Sequence, residues 1–370
     1  MRTAEYDPFA SGHFPVGVRT IDAPDPARGR VFPCEIWYPA DTGVAVQPAG
    51  TDEARDAAPR RGTYPLVAFS HYSGGHRRSA TFLCTHLASH GYVVAALDHS
   101  EVVARELGSR DGETATERAV RIDAVVASRV PDVRFLLDYL LGPVAAAGAA
   151  EPAEAARPAG PAGSAGRAGG GIAGIGLDAA RIGLAGHSFG GWTVLATPEA
   201  EPRVRAVVAM GPGGSAHPMP GVLPLKLTFG WGRDIPVLYL AAADDVPIPL
   251  AAVRELFDRT PEPKRMFILP RADHQHFIDD VEGEHEAVRA MTFPGAAAWI
   301  PGAMRPITEL CSGEQAHVFV RGLTLGQLDA TLRGSAAAER FLAGDVAAEL
   351  ASRGVRAIEH RQSRPAPVRP

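Results

Sequence analysis

The 370-residue chain has only three cysteines, Cys34, Cys84 and Cys311, far apart in sequence. They form no CxxC pair and leave an odd count, which excludes a disulfide framework and fits a reducing compartment. No apolar run exceeds strand length, so no membrane-spanning helix is expected. The opening Met1-Arg2-Thr3-Ala4-Glu5-Tyr6-Asp7 is polar with no apolar stretch behind it, so no secretory signal is expected and the cytoplasm is the expected location. Lysine is nearly absent, no long basic run occurs and the net charge is −5, so nothing favours nucleic acid as a partner. Against these absences stand a 46% hydrophobic content and a mean hydropathy near zero, the balance of a soluble, well-cored protein. The enrichment in alanine, glycine, proline and arginine is the bias of a GC-rich bacterial genome.

What is present is a recurring apolar signal of strand length. Runs at 65–70 and 92–97 are continuous rather than alternating, as in strands buried on both faces of a parallel sheet. Similar runs at 16–21, 31–38, 181–185, 204–210, 236–241 and 265–269 bring the count to eight. The first two are joined by a turn-rich Asp22-Ala23-Pro24-Asp25-Pro26. Helical patterns fall between them. Leu83 and Leu87 lie four apart before a stop at Gly91, and residues 114–129 are helical in pattern. Pro131 is expected to open a new helix, whose Val133, Leu136, Leu137 and Leu140 form one apolar face. An amphipathic helix is expected over 323–353. Strands alternating with helices predict an α/β fold with a mostly parallel, eight-stranded sheet and helices on both faces. Residues 144–176 are Ala/Gly/Pro-rich with almost no large side chain and read as a flexible surface insertion, not a domain boundary. Residues 1–360 thus read as a single domain. The long stretches 211–233 and 286–318 are its candidate lid or pocket segments.

The run at 181–185 leads into Gly186-His187-Ser188-Phe189-Gly190-Gly191, and a helix-compatible stretch follows. Strand, Gly-x-Ser-x-Gly, helix is the signature of a nucleophile elbow. A serine hydroxyl is almost wholly protonated at neutral pH, so it needs a base beside it and a backbone that exposes it. In elbow proteins an acid and then a histidine follow the serine in the chain. After the seventh run come Asp244 and Asp245; after the eighth come His274 and His276. Both pairs lie past the carboxyl end of a strand, where open α/β sheets keep their sites. Each loop offers two choices.

These elements together resemble the α/β-hydrolase superfamily. More narrowly, Phe69-Ser70-His71-Tyr72-Ser73-Gly74-Gly75-His76-Arg77, followed by Leu87-Ala88-Ser89-His90-Gly91-Tyr92-Val93-Val94-Ala95, resembles one branch of it. That branch holds platelet-activating-factor acetylhydrolases, dienelactone-hydrolase-like esterases and bacterial polyester hydrolases. The similarity runs patchily from about residue 15 to 285. It implies Ser188 as nucleophile. It favours His274 as base, because the acetylhydrolase loop has its histidine directly before Gln, with His276 as the alternative. Acetylhydrolases take their acid after the sixth strand, where this chain reads Met210-Gly211-Pro212 and has no carboxylate. The polyester-hydrolase pattern, an Asp four residues before a proline, fits Asp245 and Pro249 and favours Asp245 over Asp244.

The expected chemistry is hydrolysis of a small-molecule ester through an acyl-enzyme, without cofactor. A thioesterase, amidase or acyltransferase on the same triad, or a catalytically silent binding protein on this scaffold, are the alternatives. The oxyanion needs two preorganised N–H donors. Phe189, directly after the nucleophile, is one. By the acetylhydrolase pattern Ser73 is the other, with Tyr72 its rival. His71, His76 and His86 are expected to be structural or exposed, and Asp98 a capping or loop residue. Phe229, Trp231 and Trp299 are candidates for either pocket or core. Although His274 and His276 are two apart, no zinc-type spacing accompanies them, so no metal is expected. The acids after His276 read as the solvated start of a helix.

Overall fold

The computed structural model describes residues 6–41, 54–107, 110–142 and 174–360, so nearly all of the expected 144–176 insertion lies outside the described residues. Among the described residues ten strands form one sheet: β1 (Val16–Asp25), β2 (Arg30–Pro39), β3 (Ala54–Arg55), β4 (Gly62–Ser70), β5 (Val93–Leu97), β6 (Ile175–His187), β7 (Val204–Met210), β8 (Val237–Ala242), β9 (Lys264–Leu269) and β10 (Ile358–His360). Their spatial order is β10-β9-β8-β7-β6-β4-β5-β2-β1-β3. The six strands from β5 through β9 in that order are parallel, whereas β2 is antiparallel to β5 and β1, and β10 to β9. All eight apolar runs are strands. The two further strands, β3 and β10, sit at opposite edges and are too short and too polar to signal themselves in the sequence.

Helices α1 (Thr81–Ser89), α2 (Ser100–Val103), α3 (Ala115–Leu141), α4 (Phe189–Ala200), α5 (Leu250–Arg259), α6 (Val281–Ala290), α7 (Ile300–Ala303), α8 (Gly313–Leu332), α9 (Ala336–Ala343) and α10 (Val346–Ala351) connect and cover the sheet. Successive strand residues point to opposite faces. Val67 and Phe69 pack under Leu87 of α1 and Leu323 of α8. Leu66 and Ala68 pack with Leu136 of α3, Leu195 of α4 and Leu256 of α5 on the other side. Each fully buried side chain of this size contributes about 1.5–3 kcal/mol, so the two apolar layers hold the central strands rigid.

Three local expectations are corrected. Pro131 does not open a helix; it lies inside the continuous α3, which begins at a capping box between Thr114 and Glu117. Val125 and Arg129 before the proline and Val133, Leu136 and Leu137 after it are all buried, so tertiary packing on one face overrides the local breaker. The Asp22–Pro26 stretch is mostly strand: Asp22, Ala23 and Pro24 pair with Pro33, Phe32 and Val31, and the turn comes at 26–29. The helix expected over 323–353 is three helices, because Ser335 and Asp345 cap new ones at Ala338 N and Ala348 N. The 286–318 stretch is framed by helix, with α6 running to Ala290 and α8 starting at Gly313.

The first turn of α1 has no cap of its own at Ala80. The half-buried Asp279 carboxylate supplies one from 198 residues away, accepting from Thr81 N at 2.9 Å and Phe82 N at 2.8 Å. Asp279→Ala is expected to destabilise the fold by about 1–3 kcal/mol. Urea denaturation should show a lower midpoint at unchanged slope; a midpoint equal to the parent's contradicts the capping role.

Candidate active site

β6 ends at His187 and α4 starts at Phe189, so one residue, Ser188, turns the chain from strand to helix. Its φ of 58° and ψ of −114° lie outside the ordinary L-residue regions. Such a turn forms only if its flanks carry no side chains. A Cβ at Gly186 would stand 2.4 Å from the Gly190 carbonyl oxygen, and one at Gly190 would stand 1.9 Å from the Ser70 carbonyl oxygen. Hydrogen bonds from Ser188 N to Met210 O (2.9 Å) and from Trp192 N to Ser188 O (3.0 Å) lock the elbow to β7 and α4.

Loops past β8 and β9 bring a histidine and an aspartate to this serine. His274 Nε2 lies 2.8 Å from Ser188 Oγ, and His274 Nδ1 lies 2.7 Å from Asp245 Oδ2. Asp245 Oδ1 accepts from Ile248 N at 2.7 Å, which fixes the carboxylate. Asp245 and His274 are 5% and 9% exposed, so the line is dry at one end and opens at the serine. Burial raises the Asp245 pKa above the usual carboxylate value, against the pull of His274. For His274, burial pushes the imidazolium down, but the charge and hydrogen bond of Asp245 outweigh it and leave the pKa raised. The ring of His187 packs 4.7 Å from that of His274, and burial keeps His187 neutral.

The other member of each pair faces elsewhere. Asp244 Oδ1 accepts from Arg305 Nη1 at 2.9 Å, at the surface. His276 Nδ1 lies 3.0 Å from both the Asp273 backbone N–H and Asp273 Oδ1, and its Nε2 donates to the Cys311 carbonyl at 3.0 Å. Burial opposes the His276 imidazolium, yet Asp273 and the Cys311 carbonyl raise its pKa to about 10. Among the described residues no group of three or more His, Cys, Asp or Glu side chains is disposed to hold a metal ion. Of the acids after His276, Asp280 caps α6, with Glu282 and Glu284 in its first turn.

Tyr72 and Ser73, in the loop after β4, face Ser188 and Phe189 across a cavity of about 490 Å³. Both candidate pocket segments contribute to its wall, Leu223 and Leu225 from one and Phe293, Ile300 and Met304 from the other. Among the described residues Glu284 is the one carboxylate on the lining. Phe229, Trp231 and Trp299 do not line it. Trp231 is core, donating to Leu195 O at 3.1 Å, and Trp299 ties the two segments by donating to Pro220 O at 3.0 Å. His71 and His86 are buried with backbone partners, and Asp98 accepts from Arg77 N and Nη1. A wider depression of about 750 Å³ lies near Pro236, Lys264 and His360, at the other ends of β8 and β9.

Two residues beside the site were given no role by the sequence reading. Gly211 stands where a carboxylate would sit after β7; its φ of 46° favours glycine, and a Cβ there would lie 3.3 Å from the Phe277 ring. Arg129 is fully buried behind the Tyr72–Ser73 loop. Its signal was a position on the apolar stripe Val125, Arg129, Val133 of α3.

Sheet order, elbow and loop positions define a protein of the α/β-hydrolase fold. Known proteins agree with that class. The family model for platelet-activating factor acetylhydrolase, isoform II, matches residues 35–119. A platelet-activating factor acetylhydrolase of Cavia porcellus is 26% identical over 238 residues, covering 58% of this chain and 48% of that protein. The matched stretch thus spans about half the length of that relative. The structure of a ferulic acid esterase from Streptomyces cinnamoneus superposes with a TM-score of 0.55 at 23% identity, covering 88% of this chain and 93% of that one. These likenesses fit the hydrolase branch that residues 69–95 resemble.

The Asp273–His276 pair makes stability depend on pH. Its folded pKa of about 10 exceeds the ordinary histidine value, so its contribution is complete below about pH 6.5 and lost as pH rises through about 10. Thermal melting should show His276→Gln flattening the decline in Tm over that window; a decline as steep as the parent's excludes the pair as its source.

Proposed function

We propose that the protein is a serine hydrolase that cleaves a carboxylic ester through an acyl-enzyme. The observation that carries this reading is the hydrogen-bonded line from Asp245 through His274 to Ser188, opening on an apolar cavity. In the first step Ser188 Oγ attacks the ester carbonyl carbon while its proton passes to His274 Nε2. Asp245 holds the other imidazole proton on Nδ1 and stabilises the imidazolium. The carbonyl oxygen, now anionic, is received by the N–H groups of Phe189 and of Ser73, with Tyr72 the alternative to the latter. Collapse of the adduct breaks the ester C–O bond, and His274 returns its proton to the leaving alcohol. Water then repeats the sequence on the acyl-serine and releases the acid. Residues 211–233 and 286–318 wall the pocket, whose mainly apolar lining favours an apolar group on the substrate. The names of the relatives, an acetylhydrolase and a ferulic acid esterase, support ester substrates.

With a short p-nitrophenyl ester, Ser188→Ala is expected to lower turnover by roughly 10³–10⁶. Asp245→Asn should cost roughly 10³–10⁴, whereas Asp244→Asn, which loses only a surface ion pair, should stay within a few-fold. The reverse order in those two aspartate variants moves the acid to Asp244.

The base must be neutral to accept a proton, and the His274 pKa is raised by Asp245. kcat/KM should therefore fall as pH drops through a value above about 6.5. In the residual activity of Asp245→Asn that limb should move to lower pH. A limb that stays in place shows that another group controls it.

A further inference from the structure

Behind the candidate oxyanion loop lies a charged cluster that the triad does not use. Arg129 on α3 is 0% exposed, and so is the side chain of Glu101 on α2, its ion-pair partner. Desolvating a guanidinium is costly, and an apolar pair of similar volume would fill this space without that cost. What an apolar pair lacks is a planar fork of donors. Arg129 Nη1 donates to the carbonyl oxygen of His71 at 2.7 Å, and Nη2 reaches the carbonyl oxygen of Tyr72 at 3.4 Å. Its Cζ lies 4.0 Å over the ring of Phe189.

Those two carbonyls are the far ends of two particular peptide planes. The His71 carbonyl shares its plane with the Tyr72 N–H, and the Tyr72 carbonyl shares its plane with the Ser73 N–H. A donor at the carbonyl end fixes the direction of the N–H at the other end and polarises it. His71 adds to this. Its Nε2 accepts the His99 N–H at 3.2 Å, so the ring proton is on Nδ1, which donates to the Tyr72 carbonyl at 2.7 Å. Burial holds His71 neutral, consistent with that tautomer. One cation thus grips the loop on the far side from the cavity and, through the face of Phe189, the residue that carries the other donor.

We propose that Arg129 is a positioning residue for the oxyanion site, aiming the N–H groups of the 71–73 loop and of Phe189 toward one point, with His71 as its auxiliary on the Tyr72 carbonyl. This rests on the hydrolase reading above. It differs from a purely structural ion pair in what its loss does: it removes transition-state stabilisation and leaves ground-state binding in place.

The test uses the paired substitution Arg129→Met with Glu101→Gln, which leaves no orphaned charge, and separately Arg129→Lys, which keeps charge and ion pair but loses the fork. Each is assayed with a short p-nitrophenyl ester and with an aryl trifluoromethyl ketone. Ser188 Oγ adds to the ketone carbonyl and its proton moves to His274, so the hemiketal oxyanion needs the same donors. The paired variant should lose about 10–100-fold in kcat with KM within about twofold, and the ketone Ki should rise by a matching factor. Arg129→Lys, which should fold even if the paired variant does not, should lose roughly 3–30-fold in both. A folded variant with parental kcat and Ki, or one raised only in KM, overturns the Arg129 assignment alone. A parent protein that the ketone does not inhibit overturns the hydrolase reading and this assignment with it.

Discussion

The close approach of two backbones organises this site. Gly190, one residue into α4, lies against the Ser70 carbonyl at the end of β4, leaving no room for a side-chain carbon. Because β4 and β6 are adjacent parallel strands, that contact places the loop after β4 and the N-terminus of α4 side by side. Everything proposed for catalysis lies around that junction: the strained serine, the N–H groups on either side of it, and the cavity they face. The strain at Ser188 is stored locally and held by packing on both faces of the sheet.

Around this junction the protein buries several charges, and each of those named below has a defined partner. Asp245 is held by His274 and the Ile248 N–H, Arg129 by Glu101 and two carbonyls, and Asp273 by His276 and the Gln275 N–H. Paired charges in a low-dielectric interior hold one another in place, whereas an unpaired one destabilises. The result is a frame in which Ser188 and His274 face the cavity while Asp245 lies behind them. The same logic ties the cavity wall down: Arg305 bridges Asp244 and Glu309, and the Cys311 carbonyl receives His276.

Much of this was legible in the sequence, and the limits have physical causes. The eight main strands announce themselves as apolar runs, and the elbow as glycines spaced around a serine, because both are local constraints. The choice of Asp245 over Asp244 is different: the chain turns at 243–244, so a one-residue shift exchanges a surface ion pair for the histidine contact. Resemblance, not spacing alone, favoured the residue that the fold brings to His274. Pro131 misled because its local cost is outweighed by the buried stripe on either side of it. Arg129 went unnoticed because an arginine in a helix reads as solvent-facing until the helix is seen pressed against a carbonyl-rich loop. Gly211 is informative only once the aspartate beside His274 is seen to come from the loop after β8 instead.

The central claim is that Ser188 is the activated nucleophile. It is tested most directly by reacting the parent protein with a fluorophosphonate and mapping the adduct by peptide mass spectrometry. The account predicts a single adduct on Ser188 that disappears when His274 is replaced by alanine. An adduct on another residue, or none on the folded parent protein, contradicts it.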